Sequence, residues 1–376
     1  MTPTPPDEQA FVASSADLAA TATALEQCGA ASLPVAAHVE QTHRDCFLAA
    51  RRGLAVLHEA TESHPATLAP GVDSAHASGM HRIGALSNYN ACREGFIFSD
   101  GAILELPEAE GFDAAMRVFF ASALAVAHAV LGSIEAHLQI PAGWFEASFG
   151  PLASHAQWHV KRFVPEGASP HAVTNDGKRV LLPVHSDPSL ISVVLHDRPG
   201  CNTGALGLER MRDGGGGWEE LGAHGHAVAT VLGGAVLDRL TGGRFRACRH
   251  RVAVRPSSSS SSSPSSSTGK EGDGDGGEPP PCDAAAAAAA ASLDRVAATF
   301  FFRPAPGARL VAPPGLPALT GGVATYGDWT KRVAGRYGRH AAPEAIPDRR
   351  DGGGGGGGGD GGGDGGGGGG GGDGGG

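Results

Sequence analysis

The stretch His185-Ser186-Asp187-Pro188-Ser189-Leu190-Ile191-Ser192-Val193-Val194-Leu195 decides how this chain is read. Its second half is an apolar run that reads as a buried strand. Its head places an imidazole and a carboxylate two positions apart, and residues i and i+2 of a strand project from one face. His185 and Asp187 are therefore aimed at a common point. A second imidazole from a neighbouring strand would complete a set of two histidines and one carboxylate. Such a set holds one face of an octahedral Fe(II) and leaves the other open. The candidate is His250, within Phe245-Arg246-Ala247-Cys248-Arg249-His250-Arg251-Val252-Ala253-Val254.

Strand-like segments surround this stretch. Trp158 to Pro165 alternates, and Val180-Leu181-Leu182-Pro183-Val184 leads into the His-x-Asp. Gly204 to Leu208 and Trp218 to Leu221 flank a Gly-rich turn and predict a hairpin. Ala227 to Leu232, Ala235 to Leu240 and the His250 strand follow, separated by Gly233-Gly234 and Gly242-Gly243. Val296 to Phe302 is a last strong strand, closed by Pro304. Upstream the chain is Ala-rich and helical: residues 35 to 50 read as a surface helix, and 113 to 139 as a core-packing helix ended by Pro141. Leu54-Ala55-Val56-Leu57 after Gly53 reads as a short strand. The predicted class is α+β, with helices first and a double-sheet jelly roll (a double-stranded β-helix) second.

Low-complexity segments set the limits of the fold. Residues 256–291 run through Ser, Pro, Gly, acidic residues and an Ala tract, and the chain ends in Gly punctuated by Asp351, Asp360, Asp364 and Asp373. Neither carries the apolar side chains that offset ordering entropy, so both are predicted disordered. The expected organisation is a disordered 1–15, a helical 16–150, a jelly-roll core 151–345 interrupted at 256–291, and a tail 346–376. The formal net charge is −10, of which the Gly/Asp stretch 351–376 and the insertion contribute −4 each, leaving −2 for the remainder. A nearly neutral domain lacks the electrostatic footprint for nucleic acid, and no such partner is expected.

The six cysteines are scattered with no C-x-x-C, as in reduced intracellular thiols. The N-terminus has neither a basic start nor an apolar run, and no uncharged apolar stretch reaches the ~20 residues of a membrane helix. A cytoplasmic protein without a membrane partner is expected.

From about Gly53 to Tyr337 the sequence resembles the isopenicillin-N-synthase-like branch of the Fe(II)/2-oxoglutarate dioxygenases. Gly53-Leu54-Ala55-Val56-Leu57 resembles the family's N-terminal "G-F-F-x-L" strand, and His185 to Leu195 its metal-binding strand. Gly204-Ala205-Leu206-Gly207-Leu208 before Trp218 is similar to its "G-G-L-Q-V…W" hairpin. Leu240 to Phe245 resembles the turn before its second metal histidine, and Thr325-Tyr326-Gly327-Asp328-Trp329 the start of its C-terminal helix.

The resemblance implies Fe(II) on His185, Asp187 and His250, with 2-oxoglutarate as cosubstrate, O2 as oxidant and ascorbate as an optional accessory. It also implies a small organic substrate that is hydroxylated or desaturated. The family clamps the far carboxylate of 2-oxoglutarate with the Arg of an R-x-S, for which a planar, permanently charged guanidinium is suited. Arg255-Pro256-Ser257 matches the letters but runs into the Ser tract, whereas Arg295-Val296-Ala297 precedes the Phe-rich strand, so Arg295 is chosen. The family's Ser is then Ala297. The Tyr of its "N-Y-Y-P" stretch falls on Val164, with Arg162 near the Asn position as a second cosubstrate contact.

The polar cluster of His81, Arg82, Asn88, Tyr89 and Arg93 is a candidate for substrate contact. His155, His159 and the pair His224 and His226 are read as structural or surface histidines. Two other readings stay open: an iron oxidase of the isopenicillin N synthase kind that needs no 2-oxoglutarate, and a non-catalytic small-molecule-binding member. Neither the substrate nor the oligomeric state is specified by these residues.

Overall fold

The computed structural model describes residues 14–59, 64–68, 77–83, 92–164, 172–197, 207–213, 216–221, 227–254, 295–319 and 325–337. The insertion 256–291, the tail from 346, Arg255, Asn88, Tyr89, His224 and His226 lie outside them.

Twelve strands among the described residues form two antiparallel sheets. The larger has the order β1 (Ala30–Pro34), β10 (Val228–Gly233), β7 (Ile191–His196), β12 (Arg295–Phe302), β4 (Gln157–Phe163), β3 (Arg93–Ser99), β2 (Gly79–His81). The smaller runs β5 (Ala172–Val173), β6 (Arg179–His185), β11 (His250–Val254), β8 (Leu208–Met211), β9 (Trp218–Glu220). From β4 onward the chain alternates between the sheets, the winding of a jelly roll. The hairpin predicted around residues 208 and 218 is present, with Arg210 opposite Glu219.

Helices cover the outer face of the large sheet. Helix α1 (Ser15–Cys28) starts at Ser14, whose hydroxyl accepts from the Asp17 N–H, and stops at Gly29, which has φ 72°. Helix α2 spans Ala37–Glu59 and α3 spans Phe112–Leu138. By length and apolarity α3 could cross a membrane, but Phe112, Met116, Phe119, Ala123, Val126 and Val130 are buried within the protein. They meet a rung of stacked rings that crosses three strands: Phe98–Trp158 at 4.0 Å and Trp158–Phe300 at 5.0 Å between centroids. Such a rung supplies both buried area and aromatic pairing.

Two segments differ from the sequence reading. Leu54 to Leu57 is not a strand but the end of α2, and the strand on that side of the sheet is β1, paired to β10. Gly53 is not a breaker here: a Cβ at this position would lie 2.6 Å from the Phe112 ring, so the glycine lets α2 and α3 approach. Ala235–Leu240 forms helix α6, after α4 (Trp144–Phe149) and α5 (Leu152–His155). The last helix, α7 (Tyr326–Tyr337), begins where the sequence placed it, with the Thr325 hydroxyl accepting from the Asp328 N–H.

Candidate metal centre

His185 closes β6 and His250 opens β11, and the two are direct cross-strand partners in the small sheet. Their ring centroids lie 4.3 Å apart. Asp187 does not share a strand with His185. It sits in the connection by which the chain leaves the small sheet for β7 in the large one. The expected convergence therefore holds, but for a different reason: the carboxylate is delivered by a sheet-to-sheet crossing rather than by strand alternation.

The Asp187 Oδ1 is 3.5 Å from the His185 Nε2 and 3.8 Å from the His250 Nε2. One donor atom from each residue fits within 4.8 Å of the others. Both rings are oriented from behind. His185 Nδ1 lies 2.9 Å from the Pro183 carbonyl, and His250 Nδ1 lies 3.2 Å from the Cys248 carbonyl. Each carbonyl accepts a proton on Nδ1, which leaves the Nε2 lone pairs facing Asp187.

The Asp187 loop is braced on three sides. Its carbonyl accepts from the Ala235 N–H at the start of α6 (2.8 Å), and the Tyr326 hydroxyl donates to the Pro188 carbonyl (2.7 Å). Gly234 lies so close that a Cβ would sit 1.9 Å from the Ser189 oxygen.

Electrostatics prepare these residues for a cation. Burial pushes the Asp187 carboxyl up, but the positive charge that the His250 and His185 rings carry when protonated outweighs it and holds the group well below the usual carboxylate range. Burial, then the His185 charge, lowers His250 to about 4 against the opposing pull of Asp187. Near neutral pH the site thus presents a carboxylate and a neutral imidazole, the protonation states that bind a metal ion. The Asp187 Oδ2 is buried with no hydrogen bond among the described residues, the position of an atom that awaits a ligand. Two imidazoles and one carboxylate suit Fe(II).

The cavity in front of these residues lies between the sheets. The small sheet contributes Leu182, Leu208 and Val252 beside the histidines, and the large sheet contributes Arg93, Lys161, Phe163, Val194, Ala297, Thr299 and Phe301. Arg162 is not among them. Its side chain points to the other face of β4, where Nη1 is 3.4 Å from Glu94 Oε1. The reading of Arg162 as a cosubstrate contact is therefore corrected by one residue in each direction: Lys161 and Phe163 face the cavity. Strand alternation makes such a slip exchange the faces. Arg295 opens β12 opposite Phe163 and shares the parity of Ala297, Thr299 and Phe301. Its side chain lies outside the described residues.

Of the polar cluster upstream, Arg93 lines the cavity and His81 is buried near it. Sequence reasoning missed Lys161, which carries no motif of its own.

Residues 160–267 match the family model of the 2OG-Fe(II) oxygenase superfamily. A search of curated proteins finds no match. Among solved structures, the chain is similar to a full-length Neurospora crassa protein in complex with alpha-KG and thymine, with a TM-score of 0.57 and 16% identity over 85% of this chain and 91% of that one. It is also similar to a rice dioxygenase for auxin oxidation (0.55, 14%, 88% and 94%) and to a putative oxygenase from Shewanella oneidensis (0.55, 13%, 87% and 96%). At these identities the likeness is one of fold, and that fold is the jelly roll described above. The family match thus falls on the segment that carries His185, Asp187 and His250, and it is this segment that is similar to the 2OG-Fe(II) oxygenase superfamily.

Proposed function

We propose that His185, Asp187 and His250 hold Fe(II), and that the protein hydroxylates or desaturates a small organic substrate with 2-oxoglutarate as cosubstrate. The observation that carries this reading is the convergence of the three donor atoms within 4.8 Å at the end of a cavity between the sheets. When bound, iron with 2-oxoglutarate supplies the activation of O2 that no protein side chain can perform.

The chain's own contribution is positional. The Pro183 and Cys248 carbonyls fix the imidazole tautomers, and the Ala235 N–H and Tyr326 hydroxyl hold the loop that carries Asp187. Arg295 is assigned to the far carboxylate of 2-oxoglutarate, supported by its place at the head of β12 on the parity of the cavity residues. The apolar side chains of Leu182, Val194, Leu208 and Val252 keep the cavity poor in water, which strengthens each charge inside it.

The test is an anaerobic titration of the Fe(II)-loaded protein with 2-oxoglutarate, followed by the visible charge-transfer band of the chelate, beside a succinate-release screen of metabolite mixtures. A band that saturates with one equivalent, together with succinate formation that depends on Asp187, is the expected result. Iron binding without the band would favour an oxidase that needs no 2-oxoglutarate. Failure to bind iron at all would reject the reading.

A further inference from the structure

The His159 imidazole is a buried group that the proposed chemistry does not use. It is 7% exposed, and neither Nδ1 nor Nε2 has a hydrogen-bond partner among the described residues. Its neighbours across the strands are Ile97 on β3 and Thr299 on β12, and the Phe301 ring meets it edge-on, with centroids 5.3 Å apart. An imidazole that serves the fold has its nitrogens engaged, as the His43 Nε2 is with the Ser122 hydroxyl at 2.7 Å. A buried polar group without a partner costs free energy that an apolar side chain in the same place would not. His159 therefore calls for a group that completes it.

Position along the sheet says where that group comes from. His159 shares the cavity face of β4 with Lys161 and Phe163, and Thr299 and Phe301 beside it line the cavity. Arg295, assigned to the far carboxylate of 2-oxoglutarate, stands opposite Phe163 and four residues along β12 from Thr299. At about 3.3 Å per residue this separation is about 13 Å, so that carboxylate does not reach His159. The metal lies towards the other end of β12. There the Leu190 N–H donates to the Phe302 carbonyl (2.9 Å), and Asp187 precedes Leu190 by three residues.

The chemistry of the pair narrows the ligand. Burial, then the charges on Lys161 and Arg93, hold His159 well below its ordinary pKa, so the ring is neutral near pH 7. A neutral imidazole offers one N–H donor and one acceptor nitrogen, and the Thr299 hydroxyl does either. A carboxylate only accepts, and an ammonium only donates. A hydroxyl or an amide does both. We propose that His159 and Thr299 form a hydrogen-bonding rung that selects the substrate, an uncharged molecule whose hydroxyl or amide group is held by this pair beside Phe301. This assignment rests on the iron-dependent reading and adds the substrate class to it.

The probes are benzyl alcohol, benzamide, benzoate and toluene. Each is titrated into anaerobic protein loaded with Fe(II) and 2-oxoglutarate, and the perturbation of the charge-transfer band is followed. The alcohol or the amide is expected to bind about fivefold or more tightly than toluene and benzoate, the worth of one hydrogen bond between uncharged groups. His159→Leu should cut that preference below twofold, and His159→Gln, which keeps a donor and an acceptor, should retain it. Both should leave 2-oxoglutarate affinity within twofold. His159→Leu should also leave the melting temperature of the ligand-free protein unchanged or raise it, because it removes unsatisfied polar atoms. Thr299→Val keeps the shape without the hydroxyl and should at least halve the preference; it decides should His159→Leu fail to fold. No preference for alcohol or amide over toluene overturns the proposal, as does tighter binding of benzoate or a preference that both variants keep. A fall of several degrees in His159→Leu that His159→Gln reverses overturns it too, since the imidazole would then be bonded within the protein. If the wild-type protein binds no iron, the functional reading fails by itself. The same titrations of metal-free protein, followed by melting temperature, then test the rung alone.

Discussion

Strand β4 is buried on both faces, and the two faces could hardly differ more. Outward it presents Trp158 and Val160 to α3, within a stack of rings from Phe98 to Phe300. Inward it presents His159, Lys161 and Phe163, and the first two are a buried base and a buried cation. Burial that stabilises selects apolar, interlocking side chains, whereas burial of charge costs free energy and persists where a ligand or a reaction requires it. The outer face is thus the scaffold and the inner face is the site, and one strand serves both by alternation.

The sharpest break of this comparison is at the metal end of the inner face. Asp187→Ala should reduce iron binding by more than 100-fold and eliminate iron-dependent succinate release, because two neutral imidazoles alone leave the cation without its anionic ligand. Metal analysis after desalting checks it. Unchanged iron content in a folded variant would show that the metal sits elsewhere.

On the outer face the expected effect is on stability. Trp158→Ala should cost about 3–5 kcal/mol in urea unfolding, the usual range for deleting a buried large aromatic side chain. A loss under about 1 kcal/mol would mean that the ring stack is not the support inferred here.

Acidification acts on the inner face. Burial first, then Arg93 and Lys161, lowers His81 to about 3, and His159 is lowered well below its ordinary value by the same causes. Both imidazoles are neutral in the folded protein and take up protons near pH 6.5 when unfolded. For a group depressed in this way, the unfolded state binds more protons between the two values, so stability is full above about pH 6.5 and declines as pH falls towards 3. From pH 6.5 to 5 the decline should be about 2 kcal/mol for His81, and His159 acts in the same direction. Urea midpoints at both pH values measure it, and His81→Gln should flatten the slope. A slope that the variant does not change would sink this explanation.

The smallest effect belongs to Arg162, on the outward side of the same strand. Its side chain is 27% exposed and its partner is Glu94, so Arg162→Gln should change stability by no more than about 1 kcal/mol. It should also leave 2-oxoglutarate affinity within twofold. A tenfold loss in calorimetric titration would return Arg162 to the cavity and reverse the face assignment.

How much was legible follows from where each signal resides. The His-x-Asp, the distant His250, the Phe-rich strand and the Thr325 helix start are local patterns, and each was placed from letters alone. Gly53 misled, because a glycine that ends an element and a glycine that admits a neighbouring helix look identical in one dimension. Arg162 was named and Lys161 missed for a related reason. Adjacent residues of a strand differ in face, but their letters carry no sign of which face meets the cavity. The brace of Asp187 by Ala235 and Tyr326 spans too much sequence to show any periodicity.

Residue chemistry and spacing named the three candidate metal ligands and the jelly-roll class, because those depend on donor type and short-range pattern. Which side chains face the candidate metal centre, and how a loop between two sheets brings Asp187 to two histidines that pair across strands, emerged only on folding. Those relations are set by strand register and by which side of each strand the helices cover, and both arise from contacts between segments far apart in the chain.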